Sequence, residues 1–254
     1  LFRSDEFIAQ ARERMREDPA RVAQPTNLLE AMIVAADQPD SGVSDDDVAG
    51  NVMTMLLAGE DTTANTLAWA IYLLHRNPEV LQKAQQEACD VVGRDLAALT
   101  MDHMVHLPYL EAVCHETMRL KPVAPFRVVQ ALQDTVVADV AVPKDTMIWC
   151  VSRHDAMDAT YFPDPEKFEP VRWLDADAHH ASQAKRVSTP FGAGPRVCPG
   201  RYLALVEMKL ALATLLSQFR IDAVNTPDGK EASEVMSFTM TPVGLALKLS
   251  PISP

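Results

Sequence analysis

Apolar residues recur along much of this chain with the spacing of α-helices. Residues 5–18 alternate apolar and charged positions, as a surface helix does, until the stretch PARVAQPTN interrupts them. Helical spacing resumes at Ser44 and stops at Asn77-Pro78. Ser44 and Asp47, three residues apart, form a capping-box start, so the pattern predicts a helix over 44–76 that is about 50 Å long.

Further helices and a strand-rich region follow this long helix. Proline and glycine signals bound one helix from Asn77 to Gly93 and another over 108–120. Short β-favouring runs over 126–151 are typical of a small antiparallel sheet. Residues 201–219 are apolar on nearly all sides, which predicts a helix buried in the core, and 237–249 suggest a terminal hairpin. The pattern therefore predicts a mainly α fold with a small antiparallel β portion.

Composition narrows the class of protein. The chain has 254 residues, 48% of them hydrophobic, which is enough for a substantial core in one or two domains. Its net charge of -12 comes without a basic stripe, and this disfavours nucleic acid as a partner. We find no transmembrane segment, because no apolar run approaches the roughly 18 residues that a bilayer requires.

The cysteines and the first residue bear on location and completeness. Four cysteines lie far apart, with no CxxC pair and no nearby histidine, which disfavours a zinc site or a disulfide framework. A reducing, cytoplasmic location fits this usage. The chain opens on Leu1 without a methionine or a leader, so we expect it to start inside a longer protein.

The middle of the long predicted helix contains the stretch AGEDTTAN, residues 58–65. Glycine, acids and threonines are poor choices for a buried helix, because they lower helix propensity and their side chains compete for backbone groups. A local departure of this kind indicates a functional site.

The stretch FGAGPRVCPG, residues 191–200, places Cys198 in a glycine-rich turn just before a helix. A sulfur there faces the positive helix end, which stabilises a thiolate and prepares it to be a ligand or a nucleophile. A nucleophile needs a base, and this loop contains no histidine, so a single thiolate on a metal fits better. The glycines would let a large flat group lie against the backbone, and Arg196 could neutralise its carboxylates.

Four motifs, in the same order, resemble those of the cytochrome P450 family. FGAGPRVCPG resembles the haem-binding loop, AGEDTT the oxygen-activation stretch, ETMR (116–119) the Glu-x-x-Arg pair, and FEPVRW supplies Arg172 to complete a triad. The resemblance covers essentially the whole chain. It implies a P450-like fold whose N-terminal half is absent, so that residues 1–254 form a partial P450 domain.

The resemblance also implies roles for individual residues. Cys198 would be the proximal thiolate ligand of the iron of haem b, shielded by Phe191. Asp61 and Thr62 would relay protons on the distal side. The other residues expected to contact the cofactor are Arg196 and Arg127 at the propionates, Gly192, Gly194 and Gly200 in the loop, and Ala58 and Gly59 on the long helix. Those expected to line the substrate pocket are Val123, Ala124, Phe126 and Phe238.

Some residues of the motifs have structural interpretations. Glu116, Arg119 and Arg172 would hold the core on the haem side, as they do in the family, and are not expected to be catalytic. The remaining cysteines, Cys89, Cys114 and Cys150, are predicted to be inert thiols.

The function implied is that of a haem-thiolate monooxygenase. It would insert one atom of dioxygen into a small apolar organic substrate, with electrons from a ferredoxin or a flavin reductase. One alternative is a haem-binding module without turnover, because half of the fold is absent and the isolated chain is expected to lose haem or aggregate. Another is an isomerase or peroxygenase, which is disfavoured because such family members tend to lose the acid-threonine pair, intact here as Asp61-Thr62.

Overall fold

Helices make up most of the structure, and all strands pair in twos. The computed structural model describes residues 4–93, 95–174, 184 and 186–252. Its α-helices are α1 (Ser4–Glu17), α2 (Ala20–Ala23), α3 (Leu28–Ala36), α4 (Asp45–Arg76), α5 (Pro78–Val92), α6 (Pro108–Leu120), α7 (Ser152–Ala156) and α8 (Arg201–Gln218). Its strands are β1 (Phe126–Gln130), β2 (Thr135–Val137), β3 (Val140–Val142), β4 (Met147–Val151), β5 (Phe219–Asn225), β6 (Glu234–Met236), β7 (Met240–Pro242) and β8 (Ala246–Pro251). Short 3-10 helices cover Leu96–Ala98, Met101–His106, Pro170–Trp173 and Gly194–Arg196.

The chain divides into two compact units, residues 1–60 and 61–254. In the first unit, α1 and α3 pack around a small core that includes Ala11, Ile33 and Val48. Asn27 caps α3, because its side-chain oxygen accepts the amide proton of Glu30 at 3.0 Å. The helix α3 was not predicted, since the interruption PARVAQPTN masks the return of helical spacing after it.

The start of α4 confirms the predicted capping box. The amide and the hydroxyl of Ser44 both donate to Asp47 Oδ2, at 2.8 and 2.6 Å, and the Asp47 amide donates to Ser44 Oγ at 3.2 Å. Two donors at the helix start are thereby satisfied reciprocally. Residues of α4 up to Glu60 belong to the first unit, and those from Asp61 onward belong to the second.

The core of the second unit lies where α5, α6 and α8 meet. Its fully buried side chains include Leu74, Leu107, Leu110, Leu212 and Leu216. A charged side chain joins this core: Lys209 of α8 donates to Glu111 Oε2 at 2.7 Å and to the Met104 carbonyl at 3.0 Å. Because both partners accept at hydrogen-bond distance, the buried ammonium group is compensated.

The prediction that α8 is buried on nearly all sides is wrong for its first turns. Tyr202 is 71% exposed and Leu203 is 62% exposed, whereas the buried residues cluster from Met208 onward. The physical reason is that α5 and α6 pack on one side of the helix in the described part of the chain. Apolar composition alone does not specify which side of a helix is covered.

The predicted small antiparallel sheet over 126–151 is present as two separate ladders. β1 pairs with β4, and β2 pairs with β3, both antiparallel. The terminal hairpin predicted over 237–249 is wrong, because its two strands pair with earlier strands: β7 with β6, and β8 with β5.

No helix within the described ranges combines the length and the apolar character that crossing a membrane requires.

A buried carboxylate ties α6 to the segment that follows α7. Glu116 is fully buried, and its two oxygens accept from both Nε and Nη2 of Arg119, at 2.9 and 2.8 Å. Arg172 Nε, Trp173 Nε1 and the Glu169 amide add three more bonds to this carboxylate, at 2.9, 2.8 and 3.0 Å. The predicted Glu-x-x-Arg and Arg172 group is therefore assembled in the fold as a buried, hydrogen-bonded cluster.

Replacing this carboxylate should be costly. Glu116→Gln leaves the buried guanidinium of Arg119 without an anion, and we expect the free energy of unfolding to fall by about 3–5 kcal/mol. The matched control is Asp164→Asn, an exposed acid paired with Lys167, for which we expect little or no loss because solvent screens the pair. Urea unfolding followed by circular dichroism measures both, and losses of equal size would contradict the central role of Glu116.

Candidate functional site

The loop Phe191–Gly200 curls back on itself. The Cys198 amide donates to the Phe191 carbonyl at 2.8 Å, and the Val197 amide donates to the Gly194 carbonyl at 3.1 Å. Gly192 and Gly194 make the turn possible, because their φ angles of +75° and +68° lie in the left-handed region that favours glycine. The loop thereby presents Cys198 beside Phe191, which itself packs against the main core.

Cys198 lies exposed just before α8, whose N-cap is Gly200. A Cβ built on Gly200 would lie 3.8 Å from the sulfur, so Sγ lies close to the start of the helix, where backbone N–H groups favour negative charge. Cys114 provides the contrast, because burial raises the pKa of its thiol to about 12. That thiol stays protonated at neutral pH, whereas Cys198 is placed for ligation.

Arg127 reaches the same loop from strand β1. Its Nη1 donates to Thr189 Oγ1 at 3.0 Å and to the Thr189 carbonyl at 3.3 Å. A Cβ on Gly192 would lie 3.7 Å from both Cδ and Nη1 of this arginine. Arg196 contributes a second exposed guanidinium from the 3-10 helix inside the loop. Two cationic side chains therefore lie at the loop that carries Cys198: Arg196 within the loop and Arg127 next to its start.

The predicted residues of α4 lie on a separate element. Asp61 is exposed and Thr62 half-buried, and the Thr62 carbonyl accepts the hydroxyl proton of Thr66 at 2.7 Å. Ala58 and Gly59 fall in the first unit, where a Cβ on Gly59 would meet open space. Their roles next to a cofactor stay predictions.

The four predicted pocket residues have different surroundings. Val123 is buried, Ala124 is exposed, and Phe126 contacts Trp149 with ring centroids 4.9 Å apart. Phe238 is 64% exposed in the turn between β6 and β7.

Sequence reasoning missed the side chains that hold these groups in place. Thr189 binds Arg127, and Asn65 donates to Thr239 and Thr241 in the β6–β7 hairpin. An amide in the helical stretch AGEDTTAN was the available signal for Asn65. No local signal in the sequence pointed to Thr189, because its partner Arg127 is 62 residues away.

The residues of the loop fit an iron porphyrin. One exposed thiol can serve as an axial ligand, and two guanidinium groups suit the carboxylates at the edge of such a group. A Cβ on Gly194 would meet open space, so the backbone there is accessible to a flat molecule. Exposed apolar side chains, among them Val128, Trp149 and Val151, line the neighbouring strands.

Residues 4–249 match the family model of cytochrome P450. The chain is 31% identical over 251 residues to a probable cytochrome P450 4s3 of Drosophila melanogaster, covering 98% of this chain and 48% of that protein. It is 36% identical over 257 residues to a bifunctional cytochrome P450/NADPH–P450 reductase of Gibberella moniliformis, covering 96% of this chain and 22% of that protein. The crystal structure of the cytochrome P450DA heme domain superposes with a TM-score of 0.81 at 30% identity, covering 98% of this chain and 55% of that one.

The P450-like fold expected from the sequence is confirmed by this structural match. The chain spans about half the length of the Drosophila relative and of the heme domain that it matches.

The backbone conformation of the loop can be tested with two glycine substitutions. Gly192→Ala forces a side chain into the left-handed region and toward Arg127, so we expect a loss of about 1–2 kcal/mol in the free energy of unfolding. Gly50→Ala, in helix α4 where a Cβ meets open space, should instead stabilise by about 0.5–1 kcal/mol. Thermal unfolding compares the two, and a Gly192→Ala variant as stable as the parent would contradict this description of the loop.

Proposed function

Because the chain belongs to the cytochrome P450 family, we propose that it carries the haem-binding part of a haem-thiolate monooxygenase, with Cys198 as the iron's thiolate ligand. The observation that carries this proposal is the geometry of the loop. Its exposed cysteine is fixed through its amide to Phe191 and lies at the start of α8, and the loop begins two residues after Thr189, which Arg127 binds.

The proposed chemistry divides between the cofactor and the chain. Haem, when bound, supplies the iron at which dioxygen is activated. Cys198 would hold that iron and donate electron density to it through Sγ, which lies at the start of α8. Phe191 packs against the core and anchors the loop there, and we assign to it the shielding of the sulfur, which is exposed in the chain by itself.

We assign the propionates to two arginines. Arg127 uses Nη1 for Thr189, and its guanidinium has five N–H donors in all, so a carboxylate can be bound by the same side chain. Arg196 supplies the second guanidinium. Gly192, Gly194 and Gly200 keep the loop free of side chains on the side of the cofactor. We infer that haem b suits this residue set, since these side chains and the Cys198 sulfur would hold it.

Asp61 and Thr62 are assigned to proton delivery. The Asp61 carboxylate is exposed to water and the Thr62 hydroxyl is its neighbour on α4, so the two side chains would supply protons on the distal side of the cofactor. Ala58 and Gly59, one turn earlier on α4, are assigned to leaving space beside the cofactor.

The proposed substrate is a small apolar organic molecule. Val123, Ala124, Phe126 and Phe238 supply the apolar contacts, and these carry no charge that would select an ionic compound. Dioxygen is the second substrate. Electrons come from a ferredoxin or a flavin reductase, and the name of the Gibberella relative, which joins a P450 to an NADPH–P450 reductase, supports the flavin type. We further propose a cytoplasmic location, on the ground that all four cysteines are free thiols.

The assignment of Cys198 can be tested by absorption spectroscopy. Cys198→Ser removes the thiolate, so the band at about 450 nm of the reduced carbon monoxide complex should disappear. Cys150→Ser, at another exposed thiol, should keep it. Retention of the band in Cys198→Ser would refute the proposed ligand.

The proton-delivery assignment has its own test. In a longer protein that contains this chain, Thr62→Ala should preserve haem and substrate binding but divert reducing equivalents into hydrogen peroxide, because proton delivery is lost. The control is Thr54→Ala, whose hydroxyl donates to the Gly50 carbonyl of the same helix. Peroxide formed per NADPH consumed measures the effect, and equal coupling in Thr62→Ala and the parent protein would count against the assignment.

A further inference from the structure

A single amide joins the helix of the proton-delivery pair to a distant hairpin. Asn65 lies one helical turn after Asp61 on α4, and its Nδ2 donates to Thr239 Oγ1 at 2.8 Å and to Thr241 Oγ1 at 3.1 Å. These partners are 174 and 176 residues away in sequence. Thr239 is only 2% exposed, so this hydroxyl depends on protein partners.

The turn that Asn65 contacts is tight and internally bonded. It connects β6 to β7 and has Phe238 at its centre. The Ser237 amide donates to the Thr239 carbonyl at 3.0 Å, and the Ser237 hydroxyl donates to the same carbonyl at 3.3 Å. These bonds close the turn on itself, so that it forms one compact body.

Two further contacts hold this body from other sides. The Met240 amide donates to the Val123 carbonyl at 2.9 Å, which ties the turn to the segment before β1. At the base of the hairpin, Arg153 binds both oxygens of Glu234, at 2.8 and 3.0 Å. Asn65 supplies the contact to α4, and its two bonds use both donors of the amide.

We propose that Asn65 is a positioning residue that fixes Phe238 relative to α4 and thereby limits the size of the apolar molecule that the site accepts. This inference rests on the proposed function, because it takes Phe238 as part of the substrate pocket. Asparagine is a poor helix former, and an ordinary interior position of α4 would favour leucine. The contact to the hairpin is the reason for an amide at this place.

The two hydrogen bonds from Asn65 to Thr239 and Thr241, which we call the clamp, can be tested by hydrogen exchange. Asn65→Leu removes both bonds and keeps a side chain of similar size. Leucine favours the helix more than asparagine does, so the variant does not weaken α4 itself, and amides of residues 237–241 should exchange about tenfold faster because the bonds are lost. The matched control is Gln85→Leu, which removes another amide that bridges two carbonyls, those of Leu216 and Phe219, at 3.2 and 3.3 Å. Its effect on residues 237–241 should be absent.

The partner threonine provides a second variant. Thr239→Val should accelerate the same amides, and adding it to Asn65→Leu should have little further effect, because the bond that Thr239→Val removes is one of the two that Asn65→Leu already removes. Unchanged exchange of the hairpin in Asn65→Leu, or effects that simply add, would overturn the clamp.

The pocket part of the proposal is tested with two probes in the haem-loaded protein, imidazole and 4-phenylimidazole, whose binding shifts the main haem absorption band. Asn65→Leu should favour the larger probe over the smaller one by about fivefold relative to the parent, because the released turn widens the site. An unchanged affinity ratio, alongside accelerated exchange, would overturn the role in specificity. If the parent protein binds neither haem nor these probes, the proposed function fails and the pocket role fails with it, while the exchange data still decide whether the clamp exists.

Discussion

The buried carboxylate of Glu116 is the interaction on which the second unit depends. It accepts five hydrogen bonds from Arg119, Arg172, Trp173 and the Glu169 backbone, while Arg119 in turn donates to three carbonyls in the segment between α7 and Trp173. A charge that is taken out of water must be compensated in this way, so its partners have little freedom to move. The cluster fixes the end of α6, and Arg127 follows that end in the sequence. It also fixes the segment up to Trp173, which precedes the cysteine loop in the sequence.

The same fold gives its thiols different properties. Cys114 lies inside the core that α5, α6 and α8 form, and burial, together with the nearby Glu111 carboxylate, raises its pKa and keeps it inert. Cys198 lies outside that core, in a loop that left-handed glycines and the bond to Phe191 hold in place. The residue type does not decide whether a cysteine is an inert thiol or a ligand. The position of the thiol relative to the core and to a helix start decides it.

Local signals predicted the helices α4, α5 and α6 well, but they predicted the pairing of strands that are distant in sequence poorly. The bounds of α4, α5 and α6 follow from a capping box, two Asn/Leu-Pro starts and a left-handed Gly93, all of which act within a few residues. The partners of β7 and β8 do not follow from any local signal, and adjacency in sequence wrongly favoured a hairpin. The exposed start of α8 was missed because apolar composition does not specify which face a neighbour covers. In the site, the motifs supplied Cys198 and Arg127 through resemblance, whereas the side chains that hold the site in place, Thr189 and Asn65, bind partners far away in the chain.

The central claim is that a thiolate of this chain is bonded to haem iron. X-ray absorption at the iron edge of the haem-loaded protein tests it directly, because the scattering distinguishes sulfur from the nitrogen and oxygen atoms bound to the metal. The proposed function predicts one sulfur among the atoms bound to iron, contributed by Cys198. Iron bound by nitrogen and oxygen alone would contradict it.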